Sequence, residues 1–137
     1  MRRRLLLPVV LAFAGVATPI AAASPEVRMT IIHVMQGCHV WGDGEGRALG
    51  AVHTVKLKRG THLSVRISCP MDFDVVQTAG PRVSLGDPRW RTGTAHTLVF
   101  TKRGVYRFTA TNVQTPEERG LETLGPVSTP SLTVRVA

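Results

Sequence analysis

At 137 residues and 43% hydrophobic composition, this chain is sized for one hydrophobic core and gives no sign of a second domain. A net charge of +8 sits beside a single tyrosine, with no interleaving of aromatic and basic residues, which argues against a nucleic-acid surface. No Gly-x-Ser-x-Gly, His-Glu-x-x-His or phosphate-binding loop is present, so the sequence supports no enzyme activity.

Met1-Arg2-Arg3-Arg4, the apolar run Leu5 to Val16 and the small residues Ala21-Ala22-Ala23 have the three parts of a secretory signal peptide, with cleavage expected after Ala23. Pro8, Pro19 and the cleavage site argue against a membrane span, and no later segment is long enough to cross. The expected product is an exported domain, residues 24–137, in the periplasm, cell envelope or medium. Arg2, Arg3 and Arg4 leave with the leader, so the net charge falls from +8 to +5. Lys56, Arg66, Arg107 and Arg135 occupy outward positions of expected strands and suit a solvated face, an anionic envelope component or an acidic redox partner.

Val27 to Gln36 reads as a strand with apolar residues on both faces. The glycines of Gly42 to Gly46 mark a loop. A second strand over Ala51 to Lys58 turns at Arg59-Gly60-Thr61 into a third, in which Leu63, Val65 and Ile67 alternate with Ser64, Arg66 and Ser68, so the two are expected to form a hairpin. Cys69-Pro70-Met71 interrupts that alternation before a short strand from Phe73 to Thr78, where Phe73 should point inward between Asp72 and Asp74. Arg82 to Gly93 reads as a loop or helical turn carrying Trp90. Ala95–Thr101 and Val105–Thr111 are expected as a further hairpin around Lys102-Arg103-Gly104, and Leu132, Val134 and Val136 mark a last strand. About seven short strands without sustained helical periodicity predict an all-β, Greek-key β-sandwich.

The segment Gly37-Cys38-His39-Val40-Trp41, the run His53 to Thr61, the run Met71 to Gln77 and the Phe100…Gly104-Val105-Tyr106-Arg107-Phe108 pattern together resemble a secreted bacterial cupredoxin-like domain over nearly all of residues 27–137. The resemblance implies copper, which cupredoxins hold through a histidine after the central hairpin and a cysteine, histidine and methionine in the last loop. In this chain the central position holds Phe73, and no cysteine, histidine or methionine follows His96. The usual blue-copper donor set is therefore missing. Cys38, His39 and Met71 resemble positions used in some secreted cupredoxin-like proteins.

Two readings of the cysteines stand side by side. In an oxidising compartment Cys38 and Cys69 would form a disulfide, closing a loop of about 30 residues and contributing roughly 3–4 kcal/mol. Alternatively Cys38, His39, Cys69 and Met71 form a copper site, since thiolate, thioether and imidazole are donors suited to copper(I). The first makes the chain a metal-free, disulfide-stapled interaction module, and the second a carrier of copper or of single electrons; in a middle case, with the disulfide formed, Met71, His39 and His33 would still hold copper weakly. Met29, Met35 and His33, on one strand face, are expected to fill the core, and Trp41 and Trp90 to pack. His53, His62 and His96 have no clustered partner in the sequence.

Overall fold

The alternation of apolar and polar residues recurs along ten strands in the computed structural model, which describes residues 12, 14–18, 24–35, 38–113 and 129–137. The expected leader over residues 1–23 and its cleavage after Ala23 lie almost wholly outside them. The strands are β1 (Glu26–Met35), β2 (Cys38–Asp43), β3 (Ala48–Gly50), β4 (Val52–Leu57), β5 (His62–Ser68), β6 (Phe73–Ala79), β7 (Arg89–Trp90), β8 (Ala95–Val99), β9 (Gly104–Asn112) and β10 (Ser131–Val136). One five-stranded sheet runs β3-β2-β1-β5-β8, and the other runs β4-β10-β9-β6-β7. The all-β sandwich expected from the strand spacing is the observed fold, with no helix among the described residues.

Each sheet holds one parallel pair, β1 with β5 and β4 with β10, and the remaining pairs are antiparallel. Leu63, Val65 and Ile67 of β5 meet Tyr106, Phe108 and Ala110 of β9 in a single core, and all six are essentially inaccessible to water. Burying an aliphatic or aromatic side chain of this kind stabilises by about 1.5–3 kcal/mol each. Trp41 and Trp90 are both 1% exposed, and Phe73 is fully buried, as the sequence predicted.

Two expected hairpins are instead arches. β4 belongs to one sheet and β5 to the other, and the same holds for β8 and β9. Gly60 and Gly104 turn the chain at positive φ, but the turn carries it across the sandwich, so the inward faces of the joined strands confront each other instead of lying side by side. Periodicity fixes which side chains go inward and is silent on which sheet receives the strand. β2, β3 and β7 add strands to the predicted seven, because the Gly42–Gly46 loop contracts to a tight turn at Gly44-Glu45 and Trp90 pairs with Phe73.

Candidate metal site at one end of the sandwich

The paired ends of β1 and β2, the β5–β6 crossing Cys69–Asp72, the β7–β8 crossing Arg91–Thr94 and the end of β9 lie toward one end of the sandwich. Strand register assembles the first donors. Ile31 lies opposite Trp41 in the β1–β2 pair and opposite Ile67 in the β1–β5 pair, and all three point into the core. Two residues further toward this end, the same alternation brings His33 opposite His39. Cys69 follows Ile67 by the same two-residue step and joins the core cluster.

His39 is 1% exposed and its ring centroid lies 5.3 Å from that of His33, with the planes tilted by 31°. Its other neighbour is Phe73, edge to face at 5.3 Å. The Nδ1 of His39 is buried and has no hydrogen-bond partner among the described residues. Burial holds the His39 imidazole below its ordinary pKa, and the nearby His33 lowers it further. The ring is therefore kept neutral, the form whose lone pair can bind a metal.

Cys69 is 5% exposed, and its thiol donates to the Met71 carbonyl at 3.8 Å. Burial pushes the thiol pKa up, and although the contact with the Met71 carbonyl pulls it down, the charge of Asp72 raises it further. A bound metal would have to displace that proton. Met71 is half-buried against the core, and its sulfur accepts from Asn112 Nδ2 at 3.8 Å. Thr92 clamps the crossing from the side: its hydroxyl donates to the carbonyls of Cys69 and Met71, and its N–H donates to Asp72 Oδ1 at 2.9 Å. Val113 N–H donates to the Asp72 carbonyl at 2.9 Å. The donor-bearing loop is thus fixed by backbone contacts before any ligand arrives.

Of the four residues the sequence singled out, the structure anchors Cys69 beside Met71 on one loop and sets His39 on the neighbouring strands, paired with His33. Cys38 begins β2 opposite Met35, and its side chain lies outside the described residues. Cys69 is a free thiol here, so the Cys38–Cys69 bridge is not formed. No three His, Cys, Asp or Glu side chains converge among the described residues; the arrangement is two pairs, His33 with His39 and Cys69 with Met71. Met35 and His33 do not fill the core as expected: Met35 is 66% exposed and His33 is also exposed, because β1 runs past the end of the sandwich. His33 and His39 stand symmetrically about Gln36 in the sequence, and it is the β1–β2 register that pairs them.

Among the described residues the other unpartnered buried side-chain nitrogen is Trp90 Nε1, whose ring stacks on His96 at 4.7 Å with the planes within 6°. His96 Nε2 meets Thr94 Oγ1 at 2.8 Å, and burial lowers its pKa against an opposing pull from Asp87. This pair welds β7 to β8 across the sandwich and offers no second donor.

No protein-family model matches the sequence, and no curated protein matches it. Among solved structures, a purple cupredoxin from Nitrosopumilus maritimus is similar over 81% of this chain and 99% of its own, at 15% identity and a TM-score of 0.47. A copper(I) form of an amicyanin mutant is similar over 86% of each chain at 17% identity and a TM-score of 0.42. A cysteine protease inhibitor from Entamoeba histolytica is similar over 61% of this chain and 84% of its own, at 10% identity and a TM-score of 0.39. Likeness at this level assigns no ligand, so function is argued from this chain's own residues.

Proposed function

We propose that this chain is an exported, non-catalytic carrier of copper(I), binding it at the β1–β2 end through His33 and His39, with Cys69 and Met71 of the β5–β6 crossing as further sulfur donors. One observation carries the reading: His39 holds a buried, neutral imidazole, one nitrogen of which has no hydrogen-bond partner among the described residues, beside a second imidazole. A buried polar atom left unsatisfied costs about 1–3 kcal/mol, a cost that a ligand would remove. The donor chemistry fits copper(I), since thioether, thiolate and imidazole are its preferred partners. The blue-copper arrangement does not fit, because Phe73 is sealed in the core and the segment after β9 offers no cysteine, histidine or methionine.

In this reading His39 supplies a lone pair without first losing a proton, and His33 sits at the exposed rim where a metal would enter. Cys69 must release its proton, while Met71 needs no such step and Asn112 holds its sulfur in place. Copper(I), when bound, supplies a soft cation that can be handed on or exchange one electron with a redox partner. Cys38 belongs to the proposed set by its place at the start of β2.

A metal-free module is the second reading, favoured by the Cys69 thiol already resting against the Met71 carbonyl inside the core. Oxidation to a Cys38–Cys69 disulfide belongs to that reading. Competition against a colorimetric copper(I) chelator decides between them. The copper reading expects one copper(I) per chain, and affinity at least about tenfold lower in His33→Gln, an exposed position where the fold is kept. A parent chain that leaves all copper with the chelator, or a His33→Gln chain equal to the parent, overturns it.

A further inference from the structure

Every acidic side chain among the described residues is engaged locally. Asp43 and Glu45 hold Arg47, Glu26 holds Arg28, and Asp74 holds Arg89. Asp72 and Asp87 accept from the backbone N–H groups of Thr92 and Arg89. The remaining acids of the chain, Glu117, Glu118 and Glu122, lie outside the described residues.

The cations left over concentrate on one surface. Lys56 of β4 lies directly opposite Arg135 of β10, and Arg135 lies opposite Val105 of β9, two residues from Arg107 on the same face. All three are exposed and none makes an ion pair among the described residues. Like charges directly opposite on a sheet face are destabilising, so the fold tolerates an unfavourable arrangement here. Around the corner, Lys58 and Arg59 in the β4–β5 turn and Lys102 and Arg103 in the β8–β9 turn close the same end. Hydrogen bonds hold those turns together: Arg59 N–H donates to the Ala137 carbonyl at 3.0 Å, Gly60 N–H to the Phe100 carbonyl at 2.7 Å, and the Tyr106 side-chain hydroxyl to the Lys102 carbonyl at 2.5 Å. Between the cations runs a shallow groove with an apolar floor of Leu57, Val105 and Val136.

We propose that this face and the adjoining end bind a flexible linear polyanion bearing closely spaced phosphate or carboxylate groups. Adjacent strands set the backbones of Lys56 and Arg135 about 4.8 Å apart, with Arg107 on the diagonal, a close spacing that a densely charged polymer can match. The charges continue over an edge of the sandwich, where a flexible chain can follow and a planar bilayer cannot. Trp41, Trp90 and Tyr106 are each 1% exposed, so the surface has no large aromatic platform on which nucleic-acid bases would stack. The site shares no residue with the copper site, and either reading can fail without the other.

Binding is measured on the whole exported chain at low salt with inorganic polyphosphate, polygalacturonate and phosphatidylglycerol vesicles as probes. Two triple variants of equal net charge are compared with the parent, Lys56→Gln/Arg107→Gln/Arg135→Gln and Arg28→Gln/Arg47→Gln/Arg66→Gln. The first set should bind polymer at least about tenfold more weakly and show a log–log salt slope smaller by about 3, as expected for three lost phosphate-type contacts. The second set should bind within about twofold of the parent. Binding of polyphosphate alone or of polygalacturonate alone supports the proposal and identifies the anion. A parent that binds neither polymer, vesicle binding without polymer binding, or equal loss in both triples overturns it. Thermal unfolding of each variant confirms that the exposed substitutions leave the fold in place.

Discussion

His39 has a ring that fits the core edge, packed on Phe73, while its Nδ1 has no hydrogen-bond partner among the described residues. A side chain chosen only for packing would not carry that orphan, and the contrast makes a test. His39→Leu keeps an apolar body and removes the unsatisfied atom, so its stability should stay within about 1 kcal/mol of the parent. Copper(I) affinity should nevertheless fall at least about tenfold. If chemical denaturation shows a loss of about 2–3 kcal/mol while copper binding is unchanged, His39 is structural. The same ring sets an acid limit. His39 and His96 both have folded pKa values below the unfolded value of about 6.5. Their contribution is therefore complete above that pH and lost as pH falls through the folded values, because the unfolded chain binds the protons more readily. Denaturant midpoints should drop below about pH 6.5, and Trp90 fluorescence should report the His96 share. Cys69 behaves oppositely: its raised pKa means a contribution present below about 8.5 and lost as pH rises above it. Alkylation of the native thiol should be slow at neutral pH and fast after unfolding.

Strands and their crossings decide where those residues stand. Gly80, just after β6, has φ +96°, and a Cβ there would lie 2.5 Å from the Val105 carbonyl oxygen and 2.9 Å from Tyr106 Cα. Gly80→Ala should cost on the order of 3 kcal/mol or more, since both strain and backbone collision apply. Gly60, in the β4–β5 arch, has φ +84° with open space around it. Gly60→Ala should cost only about 1–2 kcal/mol, and equal losses at the two sites would show that the collision at Gly80 is relieved. Tyr106→Phe removes the hydroxyl that donates to Lys102 and should cost about 1 kcal/mol. The sequence disclosed the strands themselves well: the alternation from Leu63 to Ser68 predicted each inward residue of β5. It did not disclose their partners, because Arg59-Gly60-Thr61 serves a hairpin or an arch equally. The candidate site followed the same division. Cys69 and Met71 stood out by local spacing, whereas the pairing of His33 with His39 follows from the β1–β2 register.

β5 ties the whole molecule together. It leaves the basic turn at Arg59–Thr61, and its seven residues end at the crossing that carries Cys69 and Met71. At about 3.3 Å per residue the two ends of the sandwich lie some 20 Å apart, beyond the screening length of about 8–10 Å at physiological salt. Neutralising Lys56, Arg107 and Arg135 together should therefore leave copper(I) affinity within about twofold of the parent in 0.15 M salt, by the same chelator competition. Each of those cations was legible in the sequence as an outward strand residue. Their concentration on one face was not, because it depends on the parallel pairing of β4 with β10.

The most direct measurement is an NMR titration of the chain with copper(I), which is diamagnetic and leaves the ring nitrogens and methionine methyl groups observable. Binding at the proposed site should shift the imidazole resonances of His33 and His39 and the methyl group of Met71 up to one equivalent, with His53, His62 and His96 unmoved. Unchanged resonances of His33 and His39, or shifts confined to other histidines, would contradict a copper site at this end of the sandwich.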